Sequence, residues 1–156
     1  MAGRLQNKIV CVTGAAQGIG AGIAEAMVKE GARIIIGDVN DDGANALAAQ
    51  IGATAFHLDV SSPGDWQKLA DHIGAQYGQL DILVNNAGLE LVKPMREHSL
   101  ADWRGIMAVN VDGIFLGCKT LEPLLCEARK SGSSASVINI SSIAGLVGYP
   151  DQLAYN

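Results

Sequence analysis

The stretch TGAAQGIG sets Gly14, Gly18 and Gly20 between a β-branched run and an alanine-rich run. Glycines there let the backbone turn sharply and approach a bulky anion. The first turn of the following helix offers free N–H groups to a pyrophosphate. Any sharp strand-to-helix turn also favours glycine, so the loop speaks only through its context. That context is Asp38, eighteen residues past Gly20 at the close of the next apolar run. A carboxylate there can accept hydrogen bonds from the 2′- and 3′-hydroxyls of an adenosine ribose, and it repels a 2′-phosphate. Ala15, Gln17 and Val39 are not basic, so the pattern favours NAD over NADP. A solvated turn residue is the alternative reading of Asp38.

These residues need elements to position them. KIVCVTG is a short β-branched run that predicts a buried strand, and RIIIGD, TAFHLDV, LDILVNNAG and ASVINISS predict four more strands. Between them, GIGAGIAEAMVKEGA, DDGANALAAQIG and SSPGDWQKLADHIGAQYG have helical spacing with capping residues at their ends. A longer helix is predicted from Leu100 to Arg129, with Ile106, Met107, Asn110, Ile114, Phe115, Cys118 and Leu121 on one stripe. Alternating strands and helices imply an α/β fold with a doubly wound parallel sheet of Rossmann type. Ligands bind such sheets beyond the carboxyl ends of the strands. Thr13, Asp38, Asp59, Asn85, Asn86, Ser141 and Ser142 all stand at those ends. No repeat or linker divides residues 1–156, which are expected to form one dinucleotide-binding domain.

The remaining residues narrow the function classes. A formal net charge of −5 without a basic cluster argues against nucleic acid. Cys11, Cys118 and Cys126 lack metal-ligand spacing and are expected to be buried, reduced thiols. His57, His72 and His98 are scattered, so no metal site is expected. Without an apolar leader or a run long enough to span a bilayer, the expectation is a soluble, cytoplasmic protein. Trp66 and Trp103 are expected to anchor packing. Glu90 is read as a solvated loop carboxylate, with the mouth of a substrate pocket as the alternative. Leu146 and Tyr149 are expected to line an apolar pocket.

Taken in order, TGAAQGIG, LDV at Asp59 and Val60, NNAG from Asn85 to Gly88, Asn110, NISS ending at Ser142, and Tyr155 thirteen residues later resemble the short-chain dehydrogenase/reductase family along essentially the whole chain. The resemblance implies that Gly14, Gln17, Gly18, Ile19 and Gly20 cradle the pyrophosphate of NAD. Asp38 would hold the adenosine ribose, and Asp59 with Val60 the adenine. Asn86, Ala87 and Gly88 would line the cofactor's inner side, and Tyr155 would also contact the cofactor. Ser142 would hold the substrate oxygen, Tyr155 would pass the proton, and Asn110 would belong to a proton relay. It also implies a small alcohol or ketone as substrate and assembly as a homo-oligomer, a dimer or tetramer.

That chemistry is physically coherent. Moving hydride between a carbinol carbon and nicotinamide requires a proton to move at the oxygen. A free phenol, with a pKa of about 10, is a weak base and needs a nearby cation, while a hydroxyl such as Ser142 can stabilise the changing charge. Asn110, on an otherwise apolar stripe, must find hydrogen-bond partners, and a structural bond to a neighbouring strand is its other reading. Family members place a lysine four residues after the tyrosine, at what would be position 159. The expectation is a portion of a longer enzyme that brings this lysine, further strands and the substrate loop. Half of a split enzyme and a non-catalytic NAD-binding or interaction module are the alternatives. The hydrophobic stretch from Leu146 to Pro150 points to an apolar, cyclic or steroid-like substrate.

Overall fold

Alternate residues of the first strand face opposite helical layers, which is why that strand is apolar up to Thr13. In the computed structural model, which describes residues 3–156, β1 (Ile9–Thr13) is buried at every position. Ile9 and Cys11 join one core cluster while Val10 and Val12 join the other. β2 (Arg33–Asp38), β3 (Thr54–His57), β4 (Ile82–Asn85) and β5 (Ser136–Asn139) complete a sheet in the order β3-β2-β1-β4-β5. Every pairing is parallel. Strand order reverses at β1, so the loops leaving β1 and β4 part and open a crevice above their carboxyl ends.

Helices α1 (Gly18–Lys29) and α2 (Asp41–Ile51) bring Ala24, Ala44 and Leu47 to the core that holds Val10 and Ile36. Helices α3 (Pro63–Tyr77) and α5 (Gly113–Lys130) bring Trp66, Leu69, Ile73 and Leu121 to the core that holds Cys11 and Leu83. Ser62 caps α3 by accepting the Asp65 N–H at 3.3 Å, with Pro63 at the first helical position. Burial pushes the Cys11 thiol up to about 12, so it stays protonated.

The single long helix expected from Leu100 is divided. Helix α4 (Leu100–Met107) passes through a π-helical turn at Ala108–Asp112 into α5. The buried stripe of α5 is Gly113, Gly117, Leu121, Leu125 and Ala128, whereas Phe115 is 60% exposed. Glycines occupy the stripe where Val60 and Trp66 lie against it: a Cβ on Gly113 would stand 3.0 Å from Val60, and one on Gly117 2.6 Å from the indole. A count of large apolar side chains overlooks that geometry. Trp66 anchors packing as expected, but Trp103 is 42% exposed. Cys118 is half-buried and Cys126 is exposed, its thiol facing Glu122.

β5 is an open edge of the sheet. All four of its residues are exposed, because it has β4 on one side and no described strand on the other. At the opposite ends of the strands, buried Asp81 accepts the Ile9 N–H at 2.9 Å and bonds to Lys8, Gln79 and Ser133. Burial opposes its charge, yet bonds from Ser133, the Ile9 N–H, Gln79 and Lys8 outweigh it and hold the carboxyl below the usual range.

Candidate active site

The β1–α1 loop is shaped for a bulky anion. Gly14 has φ +61°, and a Cβ there would stand 2.7 Å from the Ala87 Cα. Gly18, at the start of α1, has φ +60° with no atom within 4 Å of its Cβ direction. Left-handed backbone and open space thus coincide at a helix N-terminus, where a diphosphate fits.

Four hydrogen bonds fasten this loop to the turn after β4. Thr13 Oγ1 accepts the N–H groups of Asn86 and Ala87, both at 3.0 Å, and Asn86 Nδ2 donates to the carbonyls of Thr13 at 2.9 Å and Gly14 at 3.0 Å. Asn86 is therefore spent on backbone, tying β4 to the glycine loop. Thr13, which carried no individual role in the sequence reading, is the other half of that fastening.

The carboxylates that follow β2 and β3 are equally fixed. Asp38 accepts the Ala16 N–H through Oδ2 and the Asn40 N–H through Oδ1, each at 2.9 Å. Asp59 Oδ1 accepts the Ser61 N–H at 2.9 Å and the Ser61 hydroxyl at 2.7 Å. Val60 is buried, and its carbonyl accepts the Trp66 indole N–H at 2.8 Å. Two carboxylates thus stand at the ends of β2 and beyond β3 in orientations their own backbone sets.

On the β4–β5 side lies a cavity of about 700 Å³. Among the predicted residues it brings together Ile19, Asn86, Ala87, Gly88, Asn110, Ser142 and Tyr155. Gly14, Gln17, Gly18, Gly20, Asp38, Asp59 and Val60 are not in its wall. They follow the carboxyl edge of β1 to β3. Ser142 Oγ accepts the Ala144 N–H at 3.1 Å, capping the short turn Ile143–Gly145 and leaving its own proton free to donate. Tyr155 is half-buried in a turn closed by its N–H to the Gln152 carbonyl at 2.9 Å. Asn110 sits within the π-helical turn. Its Oδ1 accepts the Leu89 N–H and its Nδ2 donates to the Leu89 carbonyl, both at 2.8 Å. Those two bonds satisfy the amide that an apolar stripe could not.

Several wall residues carried no role in the sequence reading. Asn139 lines the cavity and accepts from Asn85 Nδ2 at 2.9 Å, across the β4–β5 pair. Leu89, Met107, Ile114 and Ile140 add apolar wall, and Glu90 also lines it, in line with the alternative the sequence reading gave it. Their signal was position: each adjoins a strand end or faces the π-helical turn. Leu146 and Tyr149 lie outside the wall, 86% and 45% exposed. Among the described residues the wall includes no Lys, Arg or His.

The loop after β4 is stitched to its surroundings. Lys93 donates its N–H to the Asp151 carbonyl at 2.7 Å and its ammonium to Asp102 at 2.9 Å. Asp102 also accepts from the Ser99 N–H and hydroxyl, both at 2.8 Å. Lys93 foremost, with Ser99, holds its carboxyl far below the usual carboxylate range. No group of His, Cys, Asp or Glu among the described residues is arranged for a metal ion. Likewise, no helix among them is long and apolar enough to cross a membrane.

The short chain dehydrogenase family model matches residues 8–156. The chain belongs to that family. A 3-alpha-(or 20-beta)-hydroxysteroid dehydrogenase of Mycobacterium tuberculosis (strain ATCC 25618 / H37Rv) is 40% identical over 150 residues, covering 95% of this chain and 56% of that protein. A D-threitol dehydrogenase of Mycolicibacterium smegmatis (strain ATCC 700084 / mc(2)155) is 41% identical over 157 residues, covering 97% of this chain and 59% of its own. Among solved structures, 3-ketoacyl-(acyl-carrier-protein) reductase from Brucella melitensis complexed with NADH superposes with a TM-score of 0.92 at 30% identity, over 97% of this chain and 64% of that one. The chain thus spans less than two thirds of the length of these relatives.

Proposed function

We propose that the complete protein is an NAD-dependent oxidoreductase interconverting a secondary alcohol and a ketone. One observation carries this reading: Ser142 and Tyr155 share a cavity with the Asn86–Gly88 turn, which is hydrogen-bonded to the glycine loop. Nicotinamide in that crevice supplies the hydride acceptor or donor. The Ser142 hydroxyl donates to the substrate oxygen and stabilises charge on it. Tyr155, as its phenolate, takes the proton from the alcohol oxygen and, as its phenol, returns it in the ketone direction. The lysine that family members carry four residues on would lower its pKa. Asn110 holds the Leu89 peptide, and with it the turn that lines the nicotinamide side.

Family membership leaves the choice between NAD and NADP open, and Asp38 argues for NAD. Its carboxylate is held by two backbone amides at the site where an adenosine 2′-phosphate would lie. The open, apolar edge of β5 supports residues 1–156 as the dinucleotide-binding part of a longer enzyme. Met107, Ile114 and Ile140 in the wall favour a cyclic or steroid-like skeleton. Exposed Leu100, Trp103 and Phe115 on α4 and α5 favour a homo-oligomeric dimer or tetramer. Free cysteines fit a reducing, cytoplasmic setting.

The test is turnover of cyclic secondary alcohols by the complete polypeptide, followed as NADH or NADPH absorbance. The expected result is reduction of NAD with kcat/KM at least about tenfold above NADP. Preference for NADP would overturn the cofactor assignment, and no reduction of either would overturn the activity.

A further inference from the structure

Glu90 is a carboxylate in the wall of a cavity whose other residues are neutral. Its backbone cannot swing freely, because the peptide of Leu89 just before it is gripped on both sides by the Asn110 amide. Three residues on, the Lys93 N–H is bonded to Asp151. The side chain is also held: Gln152 Nε2 donates to Glu90 Oε1. Oε2 has no hydrogen-bond partner among the described residues, and no cation among them pairs with Glu90. One oxygen is thus anchored to the turn that carries Tyr155, while the other is without a partner on an exposed residue that lines the cavity.

A fixed carboxylate with a spare acceptor recognises a hydrogen-bond donor. Its bonds are charge-assisted and short of ordering cost, because Gln152 and Asn110 have already restricted the loop. A substrate with a second hydroxyl facing Glu90 would gain that bond. A bare hydrocarbon in the same place would strip water from the charge and return nothing. Sites built around such a group discriminate strongly against analogues that lack the donor.

We propose that Glu90 reads a second hydroxyl on the substrate, remote from the reacting carbinol, so that the enzyme prefers cyclic diols or polyols to monoalcohols. This rests on the dehydrogenase reading above and specifies its substrate class. Glu90 touches the substrate and takes no part in moving hydride or proton.

The complete polypeptide would be assayed with cyclohexanol and the positional isomers of cyclohexanediol, as wild type, Glu90→Leu and Glu90→Gln. Binding of each alcohol to the NADH-bound protein would be measured by calorimetry. We expect at least one diol to exceed cyclohexanol about tenfold in kcat/KM. Glu90→Leu should erase that ratio through KM, Glu90→Gln should reduce it, and NAD affinity should stay unchanged. Where Glu90→Leu fails to bind NAD, the Gln variant decides by the same ratio. Equal turnover of diols and cyclohexanol by wild type, or a ratio that survives in variants with intact NAD binding, would overturn the proposal while leaving the dehydrogenase reading in place. Diol binding that depends on Glu90 without turnover of any alcohol would do the reverse. An aminocyclohexanol that outperforms every diol, with an advantage lost at high salt, would replace the hydroxyl by an ammonium and overturn the assignment of substrate class.

Discussion

β4 and β5 are adjacent, parallel and in register from Ile82 opposite Ser136 to Asn85 opposite Asn139, yet β4 is buried at every position and β5 exposed at every position. Their sequences do not predict this contrast, since ILVN and SVIN both belong in a sheet. Burial is conferred by neighbours. β4 lies between two strands with helices over its faces, and β5 has one strand beside it among the described residues. The functional residues divide along the same line. On the β1–β4 side, Thr13, Asn86, Asp38 and Asp59 are locked by bonds to nearby backbone or side chain. On the β5 side, Ser142 and Tyr155 ride on turns that follow the exposed strand. On the proposed reading, the residues assigned to the nucleotide are held within the sheet's centre, while those assigned to the chemistry stand beside the exposed strand.

Substitutions can break that division, beginning with the largest effect. Tyr155→Phe in the complete polypeptide should lower kcat by about a thousandfold, with NAD affinity unchanged by calorimetry. Retained activity would move the proton-transfer role elsewhere. Trp66→Ala should cost about 3–5 kcal/mol in denaturant unfolding, because the indole is fully buried, lies against Gly117 and bonds the Val60 carbonyl. Asp38→Ala should weaken NAD about tenfold, from its bonds to the ribose, and relax discrimination against NADP. An unchanged cofactor preference would remove Asp38 from the adenosine site.

The smallest effect concerns the far ends of the strands. Asp81 titrates below its ordinary range in the folded protein. Its contribution is therefore present above the unfolded carboxyl value of about 3.9 and is lost as pH falls through the folded value. Unfolding followed from neutral to acid pH should show stability declining below about pH 4. Asp81→Asn should cost about 1–2 kcal/mol at neutral pH and flatten that decline without altering NAD discrimination.

Much of this was legible because the signals are local. A β-branched run, three glycines and a carboxylate at the next strand end fix strand, turn and helix within thirty-odd residues. The sheet follows, since alternation and right-handed crossovers leave few topologies. What escaped depends on contacts between distant segments. The π-helical turn that seats Asn110 against Leu89 interrupts a smooth helical pattern without leaving a sequence mark of its own. The α5 stripe includes Gly113 and Gly117, invisible to a hydrophobic count because Val60 and Trp66 supply the bulk against them. Thr13 as the receiver of two amides, and the bond by which Gln152 holds Glu90, join residues more than sixty positions apart.

The central claim is direct hydride transfer at the Ser142–Tyr155 cavity. The complete polypeptide would be given NAD and an alcohol carrying deuterium on its carbinol carbon, and the reduced cofactor weighed by mass spectrometry. One deuterium per NADH formed is the predicted result. Deuterium recovered in water with an unlabelled cofactor, or no reduced cofactor at all, would contradict it.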